Sequence, residues 1–128
     1  MRSLRAGLLA LICGIPVLLG GCAVVVAGAA AGVGTYVYIK GELQDTESVP
    51  LDRAWSATQA AVHELEFTVK ESSKDSLEAR LVAEQADKNE VTIKLHAEGD
   101  STRFGIRVGI FGDEDRSRLI MDKIKARL

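Results

Sequence analysis

Cysteine is nearly absent from this chain of 128 residues: there are two, Cys13 and Cys22, and both lie in the first 22 positions. A body without thiols has no intramolecular disulfide to rely on, even in an oxidising compartment, so packing must stabilise it. Histidine is as scarce. His63 and His96 stand 33 positions apart with no third ligand at metal spacing, so no metal site is expected. Nucleophile motifs are missing too, since Ser72, Ser73 and Ser76 have no neighbouring base in a recognisable pattern. Asp113-Glu114-Asp115 lacks the spaced oxygen ligands of a calcium loop, and a helix cap accounts for it. The expectation is a protein that is not an enzyme and holds no cofactor. Aromatic residues make up only 5% of the chain, and no basic stripe interleaves with them, which argues against nucleic acid as a partner.

Charge is missing from one long stretch. No charged residue occurs between Arg5 and Lys40. Arg2 and Arg5 form a basic n-region, Ala6 to Leu19 an apolar run of signal-peptide length, and Leu19-Gly20-Gly21-Cys22 a lipobox. A branched residue followed by two small ones lets a peptidase hold the chain extended while the cysteine sulfur carries diacylglycerol. Residues 1–21 are therefore predicted to be a lipoprotein signal peptide, with Cys22 the lipidation site and first mature residue. Cys13 would leave with the signal, because Leu11 and Ile12 make a poor cleavage site before it. An uncleaved anchor is the alternative, as about 20 apolar residues suffice for a bilayer core. Either way the basic n-region stays inside and the body lies beyond the cytoplasmic face, on the periplasmic side.

Ala23 follows the acceptor where an inner-membrane retention signal would place Asp, so the outer membrane is the expected destination. Each buried methylene of the acyl chains, palmitate among them, contributes about 0.8 kcal/mol, which makes a triacylated anchor effectively permanent. Without residues 1–21 the chain has fourteen basic and eighteen acidic residues, a net charge near −4.

Residues 22–34 form an Ala/Gly-rich lead-in that is apolar where a tether is commonly polar. Gly28 and Gly32 have the GxxxG spacing that allows close helix approach in lipid. A flexible, low-complexity linker explains the same residues equally simply, since twelve apolar positions are too few to span a bilayer. The ordered body, 35–128, is enough for one small core.

Periodicity organises that body. Val37, Ile39 and Leu43 alternate with Tyr36, Tyr38, Lys40 and Glu42, which predicts a first strand with Gly41 as a bulge. Pro50 opens a helix whose stripe is Leu51, Ala54, Trp55, Thr58, Ala61, Val62 and Leu65, with Trp55 expected as a buried anchor. Four strands follow, with inward residues Phe67 and Val69; Leu77, Ala79, Leu81 and Ala83; Val91, Ile93, Leu95 and Ala97; and Phe104, Ile106, Val108 and Ile110. Short polar links between them read as turns and make the run an antiparallel meander. Asp113 caps a last helix with Ile120, Met121, Ile124 and Leu128 on its buried face, acids at its start and bases at its end. The predicted fold is α+β in the order β-α-β-β-β-β-α: a two-layer sandwich, with a mainly antiparallel five-stranded sheet and two helices on one face.

A sheet covered on one side leaves the other for solvent or a partner. That candidate binding face would carry Tyr36, Tyr38, Arg80, Lys94, Arg103 and Arg107, a positive bias within an acidic protein. Gly105 and Gly109 flank Arg107 at strand spacing and remove side chains where a ligand could approach. A solvated face balanced by Glu42, Glu78, Glu84 and Glu98 is the competing explanation.

Tyr38-Ile39-Lys40-Gly41-Glu42-Leu43, Leu51-Asp52-Arg53-Ala54-Trp55-Ser56-Ala57-Thr58, Val91-Thr92-Ile93-Lys94-Leu95 and Ile106-Arg107-Val108-Gly109-Ile110-Phe111-Gly112-Asp113-Glu114 together carry a likeness. With the Gly-Cys junction before them, the chain resembles an uncharacterised family of small bacterial lipoproteins, a domain-of-unknown-function family. Pro50 departs from that pattern, which often has a small polar cap there. The resemblance implies an envelope lipoprotein with this order of elements and brings no activity, cofactor or site. The functional expectation is a non-enzymatic cell-envelope lipoprotein, an interaction or assembly module held to the membrane by the lipid on Cys22 and meeting an envelope protein. Binding or carrying an anionic ligand such as a phospholipid, with Arg80, Lys94 and Arg107 as a charge clamp, is the alternative.

Overall fold

A computed structural model describes residues 36–128, so the predicted signal peptide, Cys22 and the Ala/Gly-rich lead-in lie outside the described residues. The elements run β1 (Val37–Ile39), β2 (Glu42–Glu47), α1 (Leu51–Glu64), β3 (Thr68–Lys74), β4 (Glu78–Glu84), β5 (Glu90–Glu98), β6 (Ser101–Val108) and α2 (Glu114–Lys125). The six strands form one open sheet in the order β1-β2-β6-β5-β4-β3, antiparallel at every pairing. The α+β class and the two helices are as expected. The sheet, however, is open and has six strands rather than five.

The extra strand comes from a turn where a bulge was expected. Lys40 and Gly41 both have positive φ, 52° and 81°, as the favoured two-residue hairpin loop requires, so the predicted first strand folds back on itself. Pairing Ile39 with Glu42 and Tyr38 with Leu43 reverses the parity of everything before the turn. Leu43 is fully buried, and Tyr36 and Tyr38 pack partly against the core with it. Val37 and Ile39, expected inside, are instead about half exposed, at 51% and 48%.

The central strands behave as their alternation demands. Ala79, Leu81 and Ala83 of β4, Val91, Ile93 and Leu95 of β5, and Phe104, Ile106 and Val108 of β6 are buried in one cluster with Ala54, Ala61 and Val62 of α1 and Ile120, Met121 and Ile124 of α2. Departures fall at strand ends and edges. β6 stops at Val108, leaving Ile110 86% exposed, and Leu77 lies in the turn before β4 at 61%. Asp75 sets that turn, its carboxylate accepting from the Leu77 and Glu78 N–H groups at 2.8 Å each. β3 is an edge strand with every residue exposed, Val69 included, and a register irregularity between Val69 and Glu71.

Pro50 occupies the N-cap of α1 with no side-chain cap, and Asp52 supplies charge to the first turn. Trp55 is half-buried rather than buried, packing against the core from its rim. α2 has the expected cap, with Asp113 accepting from Arg116 N at 3.0 Å. Two acids, Glu64 and Asp45, tie this helix and the residues after it down. Glu64 of α1 meets Lys123 at 3.1 Å and Arg127 at 2.8 Å, and Asp45, 5% exposed on β2, lies 2.6 Å from Lys125 Nζ. Burial works against the charge on Lys125, yet its hydrogen bonds to Asp45 and Glu47 raise its pKa above the ordinary lysine value.

Candidate functional site

The pairing from β3 to β2 sets one row of residues straight across the face of the sheet opposite the helices: Ser73, Arg80, Lys94, Gly105 and Gln44. Arg80 and Lys94 are direct cross-strand neighbours, an arrangement that costs free energy because like charges face each other. On the next row Glu78 pairs with His96 and His96 with Arg103. Together these rows line an open hollow of about 860 Å³, with Glu42 at one side and Lys74 and Asp75 at the other. Period-two alternation alone delivers these side chains to one surface.

Most of the charges in the hollow are answered. Glu42 Oε2 lies 3.5 Å from Lys94 Nζ, Arg103 pairs with Glu98 at 2.9 Å, and His96 Nδ1 lies 3.2 Å from Glu78 Oε1. Glu84, further along the same face, binds Lys70 and Lys88, whose hydrogen bonds, Lys70's first, hold its carboxyl below the usual carboxylate range. Arg80 differs, because its guanidinium has no ion-pair or hydrogen-bond partner among the described residues. The acids balancing this face were thus read correctly from sequence. One central arginine is left over.

Gly105 makes room for the inner wall. A Cβ there would stand 2.6 Å from Glu42 Oε1, so only glycine lets that carboxylate lie across β6 toward Lys94. This is the close approach expected at Gly105, though the group that approaches belongs to the protein.

Four of the predicted site residues do other work. Tyr36 and Tyr38 belong to the helix-covered side, since the Lys40-Gly41 turn flips them there; Tyr36 donates to Glu114 Oε1 at 3.3 Å, and the Arg118 guanidinium lies 4.9 Å from its ring centroid. Arg107 stays on the open face, but its guanidinium donates to the Lys40 carbonyl at 2.6 Å and the Ile110 carbonyl at 3.2 Å. It clasps the β1–β2 turn to the loop after β6. Gly109 lies past the end of β6, where its N–H donates to the Glu90 carbonyl at 2.8 Å. What remains of the expected face is Arg80, Lys94 and Arg103, joined by Glu42, Glu78 and His96. Lys94 and Glu42 are far apart in sequence, so their pairing had no local signal.

Metal chemistry finds no footing among the described residues, where no cluster of three His, Cys, Asp or Glu could hold an ion. His63 is exposed on α1, far in sequence from the His96–Glu78 pair. The most strongly shifted acid, Asp87, lies outside the hollow in the β4–β5 turn. Arg116 first, and then Asn89, hold it down to about 2, which binds that turn to the start of α2. No helix among the described residues is long and apolar enough to cross a membrane.

A family model described as "Protein of unknown function (DUF3568)" matches residues 5–127, and the chain belongs to that family. No curated protein matches it.

Proposed function

We propose that this member of the family is a non-enzymatic cell-envelope lipoprotein, anchored by acyl chains on Cys22, that binds an acidic segment of an envelope protein in the hollow of its sheet. The observation that carries the binding reading is Arg80: it stands beside Lys94 with no carboxylate of its own among the described residues, in a hollow of about 860 Å³. Glu42 answers Lys94, but Arg80 beside it costs stability until a further anionic group answers the arginine. A carboxylate-bearing segment would meet Arg80 in a fork-like pair and displace Glu42 from Lys94, 3.5 Å away. The anchor reading rests on Leu19-Gly20-Gly21-Cys22 after an uncharged run, and Ala23 directs it to the periplasmic side of the outer membrane.

Crosslinking in intact cells, read by mass spectrometry, tests the reading. The parent is expected to capture an envelope protein through residues lining the hollow, and the double variant Arg80→Gln, Lys94→Gln to lose it while keeping its thermal stability. Extraction of an anionic phospholipid, abolished by the same double variant, would replace the protein partner with a lipid one. Equal capture by parent and variant would sink both.

A further inference from the structure

We propose that the loop after β6 is a membrane-contact element: the side chains of Ile110 and Phe111 enter the outer layer of a bilayer. Ile110 is 86% and Phe111 92% exposed, on a loop whose backbone rests against the β1–β2 turn. Singly exposed apolar residues are ordinary, but Ile110 and Phe111 are two consecutive large ones on a single loop. The Arg107 guanidinium bridges the carbonyls of Ile110 and Lys40, so the loop and the Val37–Ile39 strand share one corner of the fold.

Backbone meets backbone closely at that corner. A Cβ on Gly41 would stand 2.8 Å from the Phe111 carbonyl oxygen, and one on Gly112 would run into the Gly41 backbone and the Tyr38 hydroxyl. A loop packed this closely presents its side chains at little ordering cost on contact. Its polar backbone is partly answered as well. The Ile110 carbonyl accepts from Arg107, and the Gly109 N–H donates to Glu90 O, which lowers the penalty of bringing backbone into an apolar layer.

Sequence and charge favour a bilayer as the occupant. The uncharged stretch after Arg5 ends at Lys40, on this same corner, so the apolar run leads directly into β1. If Cys22 is acylated, Tyr36 lies fourteen residue steps beyond it, a reach of at most about 50 Å when fully extended. Lys40 is exposed at the rim, where a cation suits lipid phosphates. Two of the nearby acids are occupied: Asp113 caps α2 and lies 3.6 Å from Arg116 Nε, and Glu114 lies 3.4 Å from Arg118. Side chains this exposed project outward instead of lining a groove, which suits a fluid layer better than a shaped partner. The inference leans on the anchored reading only for nearness to the membrane. The patch itself does not depend on Cys22.

Tryptophan quenching in the full-length protein tests it. Phe111→Trp in a Trp55→Phe background places one reporter on the loop, and Asp100→Trp in the same background places one in the β5–β6 turn at the other end of β6. Each is reconstituted in phosphatidylcholine vesicles with brominated acyl chains, with a thermal melt to confirm folding, and the mass of the same sample reports the acyl state of Cys22. Bromolipid is expected to quench the reporter at 111 several-fold more than the one at 100, with iodide in the aqueous phase showing the reverse order. Equal access to iodide without bromolipid quenching would overturn the inference. Shielding of position 111 from both quenchers would overturn it too, since residues 23–34 or a second copy would then cover the loop. An unmodified Cys22 would defeat the anchor reading alone, because the quenching result decides the loop independently.

Discussion

On the covered face of the sheet Leu43, Ile93, Phe104 and Ile106 are fully buried, while their immediate neighbours on the open face, Glu42, Lys94, Gly105 and Arg107, are polar or lack a side chain. The same strands supply both sets. The covered face is redundant, since many apolar contacts enforce a register that no single residue decides. On the open face single residues decide: Gly105 admits one carboxylate, Arg107 holds one corner, and Arg80 is left without a partner among the described residues. Redundant packing governs one side of the sheet and individual contacts the other.

Truncating the covered face should have the largest effect. Phe104 is wholly buried at the sheet centre, and Phe104→Ala is expected to cost about 3 to 5 kcal/mol by leaving a cavity. For a body of this size that lowers the melting temperature by at least about 12 °C. Calorimetry on the full chain checks it. A loss below about 1 kcal/mol would mean that the core collapses around the gap, and the contrast between the faces would be weaker than drawn here.

Two arginines on the open face sharpen the contrast. Arg107 makes two charge-assisted bonds to main-chain carbonyls, so Arg107→Ala is expected to cost about 1 to 3 kcal/mol. Arg80→Ala removes a group with no partner among the described residues and should stay within about 0.5 kcal/mol. Urea titrations of both variants would show it. Equal losses would mean that Arg80 has a structural duty, and its claim to a ligand would lapse.

The covered face was legible because alternation and helical spacing are local signals, and they placed Ala79 to Ala83, Val91 to Leu95 and Phe104 to Val108 correctly. Asp113 as a cap was legible for the same reason. Lys40-Gly41 was not: it lacks the Asn-Gly signature of a tight hairpin, and Val37, Ile39 and Leu43 fit an uninterrupted strand equally well. One missed turn then carried Tyr36 and Tyr38 to the wrong face, since parity propagates along a strand. The duty of Arg107 was hidden differently. Its partner carbonyl at Lys40 is 67 positions away, and a backbone acceptor leaves no mark in the sequence. Arg80 and Lys94 were readable because the β4–β5 turn is short and both sit at alternating positions.

The smallest structural perturbation on the open face should have a clear functional readout. A methyl group in Gly105→Ala meets the far end of the flexible Glu42 side chain, 2.6 Å from Oε1, and that carboxylate can swing toward solvent. Loss of its 3.5 Å contact with Lys94, an exposed pair worth about 0 to 1 kcal/mol, is offset by the roughly 0.5 to 1 kcal/mol that alanine recovers over glycine within a strand. Stability should therefore move by less than about 1 kcal/mol, against the several lost one residue earlier at Phe104. Lys94, released from Glu42, would then act with Arg80 on any acidic segment that enters the hollow. Titration with a fluorescent oligoglutamate peptide is expected to show tighter binding to Gly105→Ala than to the parent, and the difference should fade as salt screens it. If affinity stays level while the melting temperature is also unchanged, Glu42 does not guard the pair, and the glycine serves only the packing of β6 against the Glu42 stem.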